Sequence, residues 1–477
     1  MTTRRAMMRR SLLLLSGMGV SALASAAPRR LLHSRTRALP PLIEDVEQRT
    51  FNWFRDVTNT ANGLVPDRWP TPSFASIAAV GFGLTALPIG VERGWMTRAE
   101  ARARVLTTLR FFWNAPQGPQ AEGVSGYKGF FYHFLDMQTG LRYKQVELST
   151  IDTTLLLGGI LFCAQYFGRA HADEAEIRRL ADAIYARVDW RWAQARGPLI
   201  ALGWHPERGF IDADWRGYNE AMLLYILAIG APVHSIAAGA WESWCASYPR
   251  YWGESQGYTF LRFPALFIHQ YSHVWIDFRG IADPYMRAKG MDYFENSRRA
   301  TLAQRRYAIE NPRGWKGYGP DIWGLTACDG PADVERGYHG EQRAFAGYSA
   351  RGEEGPDARD DGTLAPTAAL GSIAFTPSES IAAAKAMHAN YSTDIYGKYG
   401  FFDAFNPSFD YTDVALQTGH ISKGAGWVAS DYLGIDQGPI LAGIENYRSG
   451  LVWRYMRAHP AIRAGLLRAG FTGGWLA

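Results

Sequence analysis

Two kinds of helical pattern alternate along this chain. In one kind, apolar residues recur at helical spacing between polar ones, which is typical of a helix with one face in solvent. In the other kind the residues are apolar all round, which is typical of a helix buried inside a large protein. The predicted outer helices are 41–57, 97–113 and 174–188, and the predicted buried helices are 74–91, 151–167 and 221–229. This pairing predicts an all-α fold, a closed α/α toroid of roughly a dozen helices.

The second half of the chain continues the pattern around one long loop region. Further helices are predicted at 236–247, 265–273, 284–310, 381–390, 414–428 and 440–455. Residues 311–374 are longer than the unstructured loops of most compact domains, so a functional or disordered segment is expected there. Its first part, Trp315–Gly330, is aromatic, and its second part, Ser349–Thr363, fits a mobile flap or a surface insertion. No linker divides residues 41–477, which predicts one domain with long functional loops.

The first forty residues differ from the rest. Four arginines precede the apolar run Ser11–Ala24, and Ala24-Ser25-Ala26 is a small-residue cleavage site. We expect residues 1–26 to be a cleaved export signal, loosely of the twin-arginine type. The apolar run is shorter than the about 20 residues that an uncleaved membrane anchor needs. Residues 27–40 are expected to form a disordered leader, and the mature protein to be periplasmic or secreted, without a membrane span.

Composition and charge narrow the class of partner. Aromatic residues make up 14% of the chain, with 17 Trp, which suits stacking on sugar rings as well as filling a core. The net charge of +5 does not describe the body of the protein. Residues 1–40 hold eight Arg and no acidic residue, and the remainder has 42 basic against 45 acidic residues. That balance predicts no nucleic-acid partner.

Local motifs predict neither a metal nor a cofactor. No Cys/His spacing matches a zinc site, and dinucleotide, Walker and Gly-x-Ser-x-Gly patterns are absent. Three cysteines do not make a disulfide framework, although Cys245 and Cys328 could form one bridge.

The stretch Asp212–Pro232 places a carboxylate at the start of a buried helix. Glu220 ends a polar, aromatic approach and precedes the apolar run 221–229. A helix N-terminus lowers the pKa of a carboxyl by at most about 1.5 units, whereas burial raises it by as much as about 3–5 units. If Glu220 is well desolvated, the effect of burial is the larger one and Glu220 can hold a proton at neutral pH. The alternative is that Glu220 caps its helix or pairs with Arg216.

Other carboxylates share this setting at the edge of an apolar segment, namely Glu147 with Asp152, Asp403 and Asp436. Hydrolysis of a glycosidic bond needs two such groups, one protonated for the leaving oxygen and one ionised to activate water or attack the sugar. Asp152 is also explained as a first-turn acid, and Asp436 as a helix-start cap. Asp403 lies in a Phe-rich turn, where an unpaired buried charge would be costly, so a functional role is favoured.

Two histidines give a less specific signal. His269 and His273 lie four residues apart on one predicted helical face, but they lack the Glu of a zincin signature. With Gln270 and Trp275 nearby, they fit a sugar-binding wall or a satisfied core pair.

Five ordered blocks carry most of these candidates: Val146–Gly159, Tyr218–Gly230, Tyr318–Gly330, Phe401–Asn406, and Ile435–Ile440 with Ile444–Arg448. Together they resemble the bacterial glycoamylase-like family, which includes the endo-β-1,2-glucanases of glycoside hydrolase family 144 and their relatives. The resemblance covers about residues 41–460.

This resemblance implies an (α/α)6 barrel and metal-independent attack on β-1,2-linked glucose polymers. Matched block by block, it makes Glu220 the proton donor, Asp403 the base and Asp152 a further cleft acid, with Glu147 beside it. The remaining side chains expected to bind sugar are Trp323, Trp275 and Tyr132 by stacking, and Arg68, Gln270, His273 and Asp329 by hydrogen bonding.

We therefore expect an exported, monomeric glycoside hydrolase that acts on a β-glucan, with β-1,2-glucan as the expected polymer and no cofactor. Three alternatives remain: a β-1,2-glucan transglycosylase, a polysaccharide lyase on the same fold, and a non-catalytic glycan-binding protein. The near-zero charge of the body and its paired carboxylates disfavour the lyase, which would need positively charged subsites for uronates.

Overall fold

The apolar runs of the chain form helices at the centre of the molecule. The computed structural model describes residues 36–353 and 358–477, and the residues from Thr36 onward belong to one compact unit. Within these ranges no helix has the length and apolar character needed to cross a bilayer. The predicted export signal lies outside the described residues and stays a prediction. The end of the predicted disordered leader is packed, because Leu39 is buried and the Arg37 N–H donates to the Arg448 carbonyl at 2.9 Å.

Helices dominate the described residues. The α-helices are α1 Pro41–Val57, α2 Ile77–Glu92, α3 Arg98–Asn114, α4 Thr150–Tyr166, α5 Ala172–Ala186, α6 Met222–Gly230, α7 Gly239–Cys245, α8 Tyr248–Tyr251, α9 Tyr271–Trp275, α10 Pro284–Ala288, α11 Tyr293–Glu310, α12 Pro366–Leu370, α13 Pro377–Ile395, α14 Gly434–Ser449, α15 Leu451–Met456 and α16 Pro460–Arg468. Short 3₁₀ helices span Leu266–His269 and Gly474–Leu476.

Short strands join these helices. They are β1 Arg68–Trp69, β2 Ala75–Ser76, β3 Gly126–Tyr127, β4 Phe130–Tyr132, β5 Phe134–Leu135, β6 Leu148–Ser149, β7 Gly203–His205, β8 Gly209–Phe210, β9 Trp252–Ser255, β10 Tyr258–Leu261, β11 Ala327–Cys328, β12 Val334–Tyr338, β13 Glu341–Phe345, β14 Ser349–Ala350, β15 Tyr396–Gly397, β16 Gly400–Phe401, β17 Phe405–Asn406, β18 His420–Ser422, β19 Gly426–Val428 and β20 Tyr432–Leu433. The prediction of an all-α fold thus describes the core but not the strands around it.

Glycine positions explain where predicted helices break. The predicted helix 284–310 is two helices, separated near Gly290, and 440–455 is split at Gly450; both glycines have positive φ. The prediction of a buried helix at 414–428 is wrong. That segment contains β18 and β19, which pair antiparallel, and Gly419 and Gly426 adopt left-handed backbone that a helix would not allow.

The buried helices pack with their backbones close together. α2 lies against α4 and α14, and its Gly81 faces Gly159 of α4. A methyl group added at Gly159 would lie 2.0 Å from the Gly81 carbonyl oxygen. The same holds between α6 and α16, where a Cβ at Gly465 would lie 2.1 Å from the Ile226 carbonyl oxygen. Glycine at these crossings allows the helices to approach more closely than larger residues would.

Several strands end where a buried helix begins. β2 leads into α2, β6 into α4 and β20 into α14. β6 lies at the centre of an antiparallel sheet of order β3-β4-β6-β7-β8, and β20 pairs with β1 through Arg68 and Leu433. Each of these three helix N-termini is thus held by a strand pairing just before it.

The long region 311–374 is anchored rather than loose where it is described. Arg351 and Asp361 are both fully buried and form an ion pair at 2.8 Å, and Arg351 also donates to the Cys328 carbonyl at 2.8 Å. The described residues of the predicted flap are therefore fixed to the interior. Cys245 and Cys328 are free thiols, so the bridge considered between them is not formed.

Replacing Gly159 with Ala should destabilise the fold, because the new methyl group would overlap the Gly81 backbone. We expect a loss of about 1–3 kcal/mol in the free energy of unfolding, measured by urea denaturation. Gly239→Ala is the matched control, since a Cβ at this helical glycine meets nothing within 4 Å. The control should leave stability unchanged or raise it slightly. Equal stability of the two variants would contradict the close α2–α4 contact.

Candidate active site

Glu220 lies in the turn that leads into α6, and α9 holds it there. The Ser272 hydroxyl of α9 donates to the Glu220 carbonyl at 2.8 Å and accepts the Leu223 N–H at 3.0 Å. No side chain caps α6, so the capping alternative for Glu220 is wrong. The carboxyl keeps partial contact with solvent, yet burial raises its pKa to about 7, and the Asp152 charge adds to that rise. Glu220 therefore holds a proton through much of the neutral range.

Asp403 lies between β16 and β17 in a group of buried carboxylates. It is 3% exposed and accepts the Asp329 N–H at 2.8 Å. Arg68 donates to Asp329 at 2.8 Å and lies 3.8 Å from Asp431. Burial raises the pKa of Asp403 to about 7, with the Asp329 charge as the next contribution, while Arg68 lowers it. One arginine thus stands among several carboxylates, and Asp403 can exchange a proton near neutral pH.

Tyr271 lies near both Glu220 and Asp403. This residue opens α9, is 4% exposed, and its hydroxyl lies within electrostatic range of both Glu220 and Asp403. The two carboxyls, 183 positions apart in sequence (403 minus 220), are thus both near Tyr271. Two carboxyls that act on one glycosidic bond must be brought into one neighbourhood in this way.

Glu147 and Asp152 meet at His133. The His133 Nδ1 lies 2.8 Å from Glu147 Oε1, and its Nε2 lies 3.5 Å from Asp152 Oδ2. Burial alone would lower the pKa of His133, but the two carboxylates raise it to about 9. Burial would raise the pKa of Glu147, but the hydrogen bond and the charge of His133, together with a backbone hydrogen bond and the charge of His205, hold that pKa below its usual value. Both acids are thus held by a histidine that is protonated at neutral pH.

Asp152 also has the structural role that its position predicted. The Ser149 Oγ accepts the Asp152 N–H at 3.2 Å and lies 2.5 Å from Asp152 Oδ2, so the two residues close the first turn of α4. Asp152 therefore stabilises the start of α4, and its charge also raises the pKa of Glu220.

Five residues predicted to contact sugar are core residues in the structure. Tyr132, Trp275 and Trp323 are 0% exposed, so stacking on a ligand by these rings is a wrong prediction. Trp275 stacks on Phe82 and donates to Thr85 at 3.1 Å, which shows that its ring fills the space between α2 and α9.

Gln270 and His273 are likewise engaged inside the protein. Gln270 donates to the Ala368 carbonyl and the Ser372 hydroxyl at 2.9 and 2.8 Å. His273 contacts the Ser297 hydroxyl at 3.0 Å, and burial lowers its pKa to about 3. The histidine segment is thus part of the core and not a sugar-binding wall, although His273 Nδ1 is buried without a hydrogen-bond partner. Arg68 and Asp329 belong to the group of acids around Asp403, and Arg68 donates to Asp329.

Two site residues were missed by the sequence analysis. His133 is a single histidine between phenylalanine-rich strands, and its partners Glu147 and Asp152 are 14 and 19 positions away, so no short motif reveals it. Tyr348 directly precedes β14 and is 56% exposed, although burial and the charges of Asp436 and Asp403 raise its pKa well above the usual value. An open ring surrounded by protein is typical of the wall of a concave cleft.

Asp436 is not the cap that its position suggested. α14 has no side-chain cap, and Asp436 instead lies in its first turn, 3% exposed, against Asp403. Within the described residues, no three or more His, Cys, Asp and Glu side chains are arranged to hold a metal ion.

Known proteins resemble this chain over most of its length. An endo-β-1,2-glucanase from Chitinophaga pinensis, solved with sophorotriose and glucose, is 28% identical, with a TM-score of 0.77 over 92% of this chain and all of that one. A putative glucoamylase from Bacteroides uniformis is 29% identical, with the same TM-score and the same two coverages.

A curated relative is longer than this chain. The exo β-1,2-glucooligosaccharide sophorohydrolase (non-reducing end) of Parabacteroides distasonis is 30% identical over 458 residues, which cover 89% of this chain and 57% of the relative. This chain thus spans little more than half the length of that protein.

The family model described as "Putative glucoamylase" matches residues 212–460, just over half of the chain. That range includes four of the five sequence blocks and both Glu220 and Asp403. The family prediction is therefore confirmed, and the chain belongs to the glycoamylase family.

Proposed function

We propose that this protein is a glycoside hydrolase that cleaves β-1,2-linked glucan, with Glu220 as general acid and Asp403 as general base. The observation that carries the proposal is the position of these two carboxyls near one residue, Tyr271, each with its pKa raised to about 7. Hydrolysis needs one protonated and one ionised carboxyl across the scissile bond, and both states are accessible here near neutral pH. The substrate class is supported by the relatives named for β-1,2-glucan and its oligosaccharides.

We further infer that the helices form an (α/α)6 barrel. The support is a chain of contacts between inner helices, in which α2 touches α4, α4 touches α6, α6 touches α9, and α9 touches α14. α14 then returns to α2 and also contacts α12. The amphipathic helices α1, α3, α5 and α13 lie outside this ring. In such a barrel the catalytic groups lie at the end where the inner helices begin.

The charge of the hollow favours a neutral substrate over a uronate. Around Arg68 lie the carboxyl groups of five residues, Asp67, Asp329, Asp403, Asp431 and Asp436, so acidic groups outnumber it. A polyanion would be repelled by this group, whereas an uncharged glucan would use its carboxylates as hydrogen-bond acceptors. This arrangement is opposite to the cationic subsites that a lyase acting on uronates would need.

Glu220→Gln and Asp403→Asn should each abolish turnover and leave sugar binding largely intact. Each change removes one proton-transfer group without changing side-chain volume, so we expect kcat to fall by roughly 10²–10⁴-fold. The measurement is product analysis by chromatography on a panel of α- and β-glucans of defined linkage, together with calorimetric binding of β-1,2-glucooligosaccharides. The control is Glu310→Gln, at the exposed end of α11, which should behave as wild type.

Near-normal hydrolysis by Glu220→Gln would rule out the acid assignment. A wild-type protein that binds the oligosaccharides but releases no sugar from any linkage would favour the glycan-binding alternative. Longer rather than shorter products would favour the transglycosylase.

The two raised pKa values predict a bell-shaped dependence of activity on pH. The base must be ionised, so activity falls below the pKa of Asp403; the acid must be protonated, so activity falls above the pKa of Glu220. Both values are about 7, so kcat/KM should peak near neutral pH and decline about tenfold per pH unit on each side. The measurement is initial rates across a buffer series, and a flat profile from pH 5 to 9 (roughly two units either side) would contradict it.

Tyr348→Ala should weaken glucan binding, because its open ring is placed to stack on a sugar beside Asp403. We expect roughly a tenfold rise in Kd, measured by calorimetry in the Glu220→Gln background so that the ligand is not consumed. Tyr348→Phe keeps the ring and should bind nearly as well as the parent. Trp113→Ala removes another exposed aromatic ring, 39% exposed on α3, and serves as the control. Unchanged affinity in Tyr348→Ala would remove this residue from the binding surface.

A further inference from the structure

Asp403 and Asp436 form a pair of contacting carboxyl groups. Asp403 follows β16, Asp436 lies in the first turn of α14, and each is 3% exposed. Their side chains are within hydrogen-bond contact. Asp403 Oδ1 and Asp436 Oδ2 are both buried and have no other hydrogen-bond donor among the described residues. Two ionised carboxylates in such contact would repel each other strongly in a site with little water, so one proton is retained between them.

The surroundings of each residue decide which of them holds that proton. Asp403 accepts the Asp329 N–H at 2.8 Å and is stabilised in its ionised form by Arg68. Asp436 Oδ2 is buried without such a donor, and burial raises the pKa of this carboxyl well above its usual value. The difference in donors assigns the proton to Asp436, whose O–H then donates to the Asp403 carboxylate.

We propose that Asp436 is a positioning residue of the active site, a permanently protonated carboxyl that donates a hydrogen bond to Asp403 and so keeps the base ionised and oriented. This inference rests on the proposed role of Asp403 as the base. It assigns to Asp436 a function that neither a helix cap nor a second catalytic carboxylate would have.

The other groups that face the pair fit this assignment. They are Asp67, Asp329, Asp431, Arg68, Cys328, Tyr271 and Tyr348. Burial raises the pKa values of the thiol and both phenols, which therefore stay neutral near pH 7. Arg68 is the cation of the set, and its hydrogen bonds go to Asp329 and Asp67, so Asp403 depends on a neutral donor as well.

The proton balance of hydrolysis is preserved. Glu220 gives its proton to the leaving oxygen as the glycosidic bond breaks, and Asp403 takes one proton from the attacking water. Asp436 keeps its proton throughout, and exchange with solvent restores Glu220 and Asp403.

The test compares Asp436→Asn and Asp436→Leu with wild type and Asp403→Asn in the full chain. The asparagine amide can donate an N–H in place of the carboxyl O–H, whereas leucine fills the space without a donor. Asp436→Asn should keep kcat within roughly tenfold of wild type, with the acid limb of the pH profile at the same or a lower pH. Asp436→Leu should move the acid limb to higher pH by about one unit, because Asp403 loses a donor that favours its charge. Thermal unfolding identifies any variant that fails to fold.

Three results would show whether the role of Asp436 or the proposed function is wrong. A folded Asp436→Asn variant as inactive as Asp403→Asn would overturn the inference, because it would show that Asp436 must ionise. An unmoved acid limb with wild-type kcat in folded Asp436→Leu would overturn it as well. Wild-type activity in Asp403→Asn would instead overturn the proposed function, whatever the Asp436 variants do. If the leucine variant does not fold, the asparagine variant alone decides.

Discussion

The cost of placing a carboxyl group in a poorly hydrated hollow governs this site. Such a group either keeps its proton or needs a donor that stabilises its charge. The acids of the site differ in whether they keep a proton or find a donor. Glu220 is left with few partners and holds its proton, Asp403 has a backbone N–H, and Glu147 and Asp152 share a protonated histidine. One physical penalty thus gives carboxyls of similar chemistry different hydrogen-bond partners.

The donors that serve these acids come from the rest of the fold. The N–H that supports Asp403 belongs to the residue after β11, and β11 is paired with β14. β14 is followed at once by Arg351, whose fully buried ion pair with Asp361 ties both strands to the interior. A long region without helical pattern is therefore required for the geometry of the base. Its many internal hydrogen bonds compensate for its lack of regular structure.

The spacing of apolar residues predicted many of the helices, because each turn of a packed helix buries at least one face and so needs apolar residues there. The predicted range 41–57 agrees with α1, and the apolar run after Glu220 is α6. The same reasoning failed at 414–428, where apolar residues among glycines form strands, because the spacing of apolar residues in a short segment does not distinguish a strand from a helix.

The family resemblance and the pattern around Glu220 gave the candidate acids, but residue type could not tell which aromatic rings face the site. Trp275 and Trp323 face the core, whereas Tyr348, in a charged and glycine-rich segment, is open. His133 and the proton shared by Asp436 arise only from tertiary contacts between distant segments.

The glycine contact between α2 and α4 has a consequence for how the protein can adapt. Where two helices touch backbone to backbone, neither can move closer, and there are no flexible side chains between them to rearrange. The α2–α4 contact is thus a rigid part of the core. Different lengths or branches of saccharide must be accommodated by the segments that connect the helices, so we expect relatives that differ in substrate preference to differ mainly in those segments.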